Sequence, residues 1–253
     1  MKRSKKRTIR RSIGVVAGVL VAGSLLAVGT GYMNVRNAAN NMYAYAANNT
    51  NEGRNLNSLL DQKKAINVLL VGTGNASNDA DAIMMMTVNP QTNTSKLVSI
   101  PKEKVANVYA KGGVSALMSN LHSTYKTPVD AYLTLNVSGL SKAIDKIGGI
   151  EVNGQHMNGD QAVKFAAGDR NGKDYSKTVL PVFKGILSKA GSFKTIFNKD
   201  FLNALSGDMQ TDMNFDQLTK FGMNYGSAAQ NSESSVAGSD ASVVTNTIND
   251  ELK

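Results

Sequence analysis

Ile66-Asn67-Val68-Leu69-Leu70-Val71-Gly72 is a short, almost wholly apolar run that ends in glycine. Its length, its valine and leucine content and the glycine-rich turn behind it predict a buried strand rather than a helix. Working outward, residues 82–88 and 96–100 read as a second and a third strand, with Asn89-Pro90-Gln91-Thr92-Asn93-Thr94 as the hairpin loop between them. Residues 131–136 form a further strand and 150–152 a short one. Helical spacing appears at 113–125, where Leu117, Met118 and Leu121 share a face, and at 140–147, stopped by Gly148-Gly149. Asn158 reads as the cap of a helix through Phe165, and 178–187, 193–205 and 215–225 supply further helices. Strands and helices interleave, which predicts a mixed α/β fold: one domain over 65–226, with a central β-sheet flanked by helices on both faces.

Ahead of that domain stands a strong asymmetry of charge. Seven of the first eleven residues are basic, and no charge follows from Ser12 to Val35. Twenty helical residues rise about 30 Å, the thickness of a bilayer core. This predicts a cytoplasmic head over 1–11, a transmembrane anchor over 12–35, and an external domain held at the cell membrane by a single pass. The competing reading is a cleaved signal, with Ala44-Tyr45-Ala46 as a small-x-small site; it lies well past the apolar run, and that run is long for a signal core. Gly14 and Gly18 form a small-residue pair on which two such helices pack, one route to a homo-oligomer. Residues 36–64 are rich in Asn and Ala and read as a spacer, with a helical stalk around 42–47. Residues 227–253, poor in large apolar side chains, read as a flexible tail.

The net charge of +9 suggests nucleic acid as a partner, but its distribution argues otherwise. Without the seven basic residues of the head, 21 positive side chains face 19 negative ones, a balance of +2 with no basic stripe to track phosphates. The head is a topology signal that also attracts anionic lipid. The chain has no cysteine, so cysteine zinc sites and disulfides are excluded. Its two histidines, His122 and His156, lie far apart, which argues against a histidine metal centre or a Ser-His-Asp hydrolase. His122 reads as structural, His156 as part of a turn, and Met84-Met85-Met86 as strand core whose alternate faces also suit an apolar lipid.

Set in order, several motifs resemble the LytR–CpsA–Psr family. They are Ile66–Gly72, Asp81-Ala82-Ile83-Met84, Asn89-Pro90, Leu97-Val98-Ser99-Ile100-Pro101 and Tyr109-Ala110-Lys111-Gly112-Gly113. Val129-Asp130-Ala131-Tyr132-Leu133-Thr134-Leu135-Asn136, Gly139-Leu140, Ile144 to Val152 and Met157-Asn158-Gly159-Asp160-Gln161-Ala162 complete the set. The resemblance covers about residues 65–190 and implies a central sheet with an apolar pocket for lipid. It also implies phosphotransfer outside the membrane, from a polyprenyl-pyrophosphate-linked glycopolymer such as teichoic acid or capsule polysaccharide onto peptidoglycan. Acidic residues of the family hold a divalent cation, magnesium or manganese, and arginines clamp the pyrophosphate. Many of its members carry the historical label of transcriptional attenuator, which a domain outside the membrane does not suit.

The chemistry explains those arginines: bidentate guanidinium forks compensate the charge that spreads over phosphoryl oxygens during transfer. This chain departs from the pattern at just those places. Where the resemblance leads to expect Gly-x-Asp stands Gly72-Thr73-Gly74, and for Arg-Ser-Asp-Thr stands Asp79-Ala80-Asp81-Ala82. Ile-Pro-Arg-Asp becomes Ile100-Pro101-Lys102-Glu103. Arg-x-Arg becomes Ala167-Gly168-Asp169, with Arg170 next to it, and further on stand Asp174, Lys177, Leu180 and Pro181. Arg170 is the one arginine between 65 and 225. Lys102, Arg170 and Lys177 are therefore the phosphate-binding candidates, against a reading of the lysines as merely solvated. Asp81 is the metal candidate, or an ordinary carboxylate at a strand start, and Asp79, on the same strand face, is a second one. The implied role is envelope assembly with weakened catalysis. The alternative is a non-catalytic relative that binds lipid-linked glycan, or polyprenyl phosphate itself, or that pairs with an active paralogue.

Overall fold

The structure is a computed structural model and describes residues 30–46, 53–74, 80–100, 102–167, 178, 181–182, 184–186, 206–235 and 241–252. The opening stretch forms β1, Ile66–Thr73, in the middle of a six-stranded sheet. β2 (Ala80–Asn89) lies antiparallel to it with Leu70 opposite Met84, and β3 (Thr94–Ser99) lies antiparallel to β2. β4 (Ala131–Asn136) runs parallel to β1 on its other side. A short hairpin of β5 (Ile150–Val152) and β6 (Gln155–Met157) stands apart. β7 (Met209–Thr211) closes one edge beside β4, and β8 (Ser232–Ser235) closes the other, parallel to β3.

Alternation along the strands sorts their side chains onto two buried faces. Leu69, Val71, Ile83, Met85 and Val98 meet helix α3 (Lys102–Tyr125), which contributes Leu117, Met118, Leu121 and Tyr125. Ile66, Val68, Met84, Met86, Val88 and Leu97 form the other face. There they meet α2 (Leu56–Asp61) through Leu60 and α6 (Phe215–Gln230) through Tyr225, Ala228 and Ala229. Burial on both faces is why these strands read as near-continuous apolar runs. A third cluster joins α4 (Val137–Lys146), α5 (Gly159–Ala167) and β5 through Ala143, Ile144, Ile150 and Ala162. The mixed α/β sheet flanked by helices is therefore as expected, and the three methionines do split between faces. Asn158 caps α5, its side chain accepting the Gln161 N–H at 2.9 Å while Gln161 accepts the Asn158 N–H.

Several expectations are corrected. Residues 36–64 are not a free spacer. Helix α1 (Thr30–Met42) buries Ala38, Ala39 and Met42, a stripe at helical spacing that the asparagines disguise. It ends at Met42, and residues 43–46 do not continue the helix; instead Ala44 donates its N–H to the Thr211 carbonyl at 2.8 Å, beside a bridge from Tyr43 to Thr211. Nor are residues 227–253 a loose tail throughout. β8 completes the sheet, and α7 (Ala241–Glu251) sinks Val244 and Ile248 into the α3 face. β8 needs no apolar sequence because backbone pairing makes it. The expected helix at 113–125 is the second half of α3, whose backbone breaks at Gly113. His156 lies on β6, with Nδ1 3.1 Å from Glu151 Oε1, and Asn153-Gly154 supplies the positive-φ pair of the tight turn. The head, residues 12–29 of the expected anchor and the helix expected at 193–205 lie outside the described residues. Among the described residues no helix is long and apolar enough to cross a membrane.

Candidate functional site

β1, β3 and β4 all end at one edge of the sheet, and β2 and β7 begin there. At this edge Gly72 pairs with Ala82 but Thr73 pairs with Ala80, so Asp81 is the extra residue of a bulge in β2. A bulge breaks the alternation of side chains and recurs beside active sites. Met84 pairs with Ser99, and the Ile100 N–H donates to the Ile83 carbonyl at 2.9 Å. That register carries the chain to the start of α3 at Lys102, on the same edge as Asp81. Asp81 and Lys102 thus both lie at this end of the sheet. Asp79, Arg170 and Lys177 lie outside the described residues.

The neighbouring strand ends are tied together by polar groups that the sequence reading did not single out. Thr73 pairs with Asn136, whose side-chain amide donates to the Gly74 carbonyl at 3.0 Å. The Asn136 N–H donates to the Asp208 carbonyl at 2.8 Å. Just beyond, a side chain at Gly139 would strike Asp208 at 2.1 Å, so the first turn of α4 lies hard against the turn into β7. The glycine of the Gly139-Leu140 motif is thus explained by close approach. At Gly74, where the family pattern calls for a carboxylate, the chain offers a carbonyl already engaged by Asn136. Among the described residues no group of three His, Asp or Glu side chains gathers that could hold a metal ion.

At the opposite end of the sheet the polar residues are structural. Asp130 is buried and forms a two-pronged pair with Arg54, at 2.8 Å for both contacts. It also accepts the Asn67 N–H at 2.8 Å, while Arg54 donates to the Ala65 carbonyl at 2.8 Å. The hydrogen bond to Asp130 raises the guanidinium pKa further. Asn67 extends the network to Thr127, Pro128 and Thr87. His122 Nδ1 lies 3.0 Å from the Thr127 carbonyl, the structural role expected of it. On the flank, Asp212 accepts the Tyr132 N–H at 2.9 Å, yet burial pushes its carboxyl up to about 6. Burial and the nearby Asp212 push the Tyr132 hydroxyl up to about 12, and that hydroxyl donates to the Ala44 carbonyl at 2.6 Å. Arg54 had no local signal: it is one of two arginines in an Asn-rich stretch.

Known proteins resemble this chain in sequence and in fold. A Bacillus anthracis protein named polyisoprenyl-teichoic acid–peptidoglycan teichoic acid transferase TagU is 24% identical, the match covering 90% of this chain and 86% of that protein. An Enterococcus faecalis protein of the same name is 26% identical over 87% of this chain and 84% of its own length. A crystal structure of a Streptococcus agalactiae protein superposes with a TM-score of 0.63 at 19% identity, covering 77% of this chain and 90% of that one, and so shares the fold. The description of the LytR_cpsA_psr family matches residues 29–156, a stretch that holds α1, the first four strands, the broken helix and the sheet edge with Asp81 and Lys102. With half of its length matched and its motifs lying where the fold needs them, the chain belongs to the LytR–CpsA–Psr family.

Proposed function

We propose that this chain acts in cell-envelope assembly, engaging a polyprenyl-pyrophosphate-linked glycopolymer at the sheet edge of β1, β2 and α3 and serving its transfer to peptidoglycan with reduced catalytic power. The proposal is supported by the Asp81 bulge and the start of α3 at Lys102 lying at the same end of the sheet. The names of the two curated relatives support the substrate class. In the transfer, an acceptor hydroxyl oxygen forms a new bond to phosphorus, the bridging P–O bond breaks, and polyprenyl phosphate leaves. Charge on the leaving phosphate must be met, and here Lys102 brings a point charge where a guanidinium fork would bring two aligned donors. Arg170 and Lys177 are the remaining cations of the proposal, and Asp81, with Asp79, is its candidate site for magnesium or manganese. The domain stands outside the cell, anchored by the apolar run behind the basic head.

A second reading, a lipid-glycan binder that partners an active paralogue, is favoured by Gly74. Its carbonyl is tied to Asn136 and no carboxylate stands in its place. One assay separates the two. Purified full-length protein is given a lipid-linked glycopolymer with magnesium or manganese, and release of polyprenyl phosphate is followed. Slow release that falls further in Lys102→Ala supports the transferase; binding without release supports the binder. Failure to bind either polyprenyl phosphate or pyrophosphate at millimolar concentration removes both.

A further inference from the structure

Helix α3 is two helices meeting at a joint. At Gly113 the backbone takes φ 62 and ψ −157, a region open essentially to glycine alone. The residue before it is also glycine, and a side chain there would crowd the Ala116 side chain at 2.5 Å. The two halves are held very unequally. The second is pinned by Leu117, Met118, Leu121 and Tyr125, all essentially inaccessible, and Thr245 of α7 donates to the Tyr125 carbonyl at 2.7 Å. In the first half, residues 102–112, Val105 is buried and Val108 and Tyr109 are half-buried among the described side chains. This half carries Lys102, Lys104 and Lys111 against Glu103. Its far end starts at the sheet edge of the candidate site. A short helix with few apolar contacts belongs to the low-stability end of a structure, and hinges are short stretches that absorb a change in φ and ψ.

We propose that residues 102–112 form a lid, hinged at Gly112-Gly113, that closes over the sheet edge on the diphosphate of a prenyl-linked substrate. The inference rests on the lipid-pyrophosphate reading given above and adds how that site is gated. Excess lysine makes closure more favourable over a polyanion than over the empty sheet edge. Val105 and Tyr109 are the apolar contacts exchanged as the lid moves, so opening exposes little apolar surface.

The chain has no cysteine, so Asn107→Cys and Ser119→Cys, both at exposed positions, give one spin label on each half of α3. Distances between the labels are measured in the detergent-solubilised full chain, alone and with geranylgeranyl diphosphate, while binding is followed separately. Without ligand two populations are expected. With it one population should remain, its mean displaced by about one helical turn, ~5 Å; geranylgeraniol should leave the distribution unchanged. If the diphosphate binds and the distances do not change, the lid is refuted and the lipid-pyrophosphate reading survives. If the diphosphate does not bind, that reading falls and the ligand-free distribution decides: two populations uphold the hinge, and one narrow population overturns it.

Discussion

Asp212 shows how one buried group ties stability to pH. Its carboxyl is held up to about 6 from an ordinary 3.8, because burial disfavours the charge more than the Tyr132 N–H favours it. The folded chain therefore keeps this proton to higher pH than the unfolded chain. Stability from this group is full below about pH 4, declines as pH rises, and is lost above about pH 6. Asp212→Asn retains an oxygen for the Tyr132 N–H and removes the charge. The variant should melt several degrees higher at about pH 8 and no higher at about pH 4; thermal melts that show it less stable at both would refute the desolvation account. Arg54 gives the opposite case. Its side chain is 27% exposed, but its partner Asp130 is 1% exposed, so Arg54→Ala strands a carboxylate in the core. A loss of about 3 kcal/mol is expected in urea unfolding, against less than about 0.5 kcal/mol for Arg36→Ala at an exposed position. Asp130 was visible in a motif, but nothing local pointed to a partner 76 residues away.

At the scale of elements, success followed local signals. The strands at 131–136 and 150–152 appear with the bounds read from the sequence, because apolar runs between turn residues are self-announcing. The first half of α3 was missed although Val105, Val108 and Tyr109 stand at helical spacing, because Gly112-Gly113 reads as a helix boundary. α7 was missed because two apolar residues, Val244 and Ile248, suffice to seat it. Ending the chain after Ser235 tests that seat. The truncation removes two fully buried side chains, each worth about 1.5–3 kcal/mol, along with the bonds from Asn89 to the Glu251 carbonyl and from Thr245 to that of Tyr125. The shortened protein should lose about 3–6 kcal/mol of stability and bind a dye specific for exposed apolar surface. An unchanged melt with no dye binding would return α7 to the status of an appendage.

For the whole molecule, the proposed topology and the proposed chemistry both rest on charge. With the basic head inside, protease added to wall-stripped cells should digest the domain while cytoplasmic controls survive; protection of both would overturn the topology, and a mature chain starting near Ala47 would indicate cleavage instead. Phosphotransfer should stay near background. Loss of a single electrostatic donor commonly costs about 10²–10³ in rate, and groups that act as a unit do not add. Installing Gly74→Asp, Ala167→Arg and Asp169→Arg together should raise the release of polyprenyl phosphate. Robust turnover by the unmodified chain would show that its lysines and Arg170 suffice. By itself the sequence determined the class of fold, the central strands and the family motifs, since these are local patterns. Only the tertiary structure decided that residues 30–46 and 241–252 pack against the core, that Arg54 answers Asp130, and that Asp81 sits in a bulge at the end of the sheet where Lys102 begins a helix broken at Gly113. Those features arise from pairings between distant segments, where register and burial, not periodicity, set the outcome.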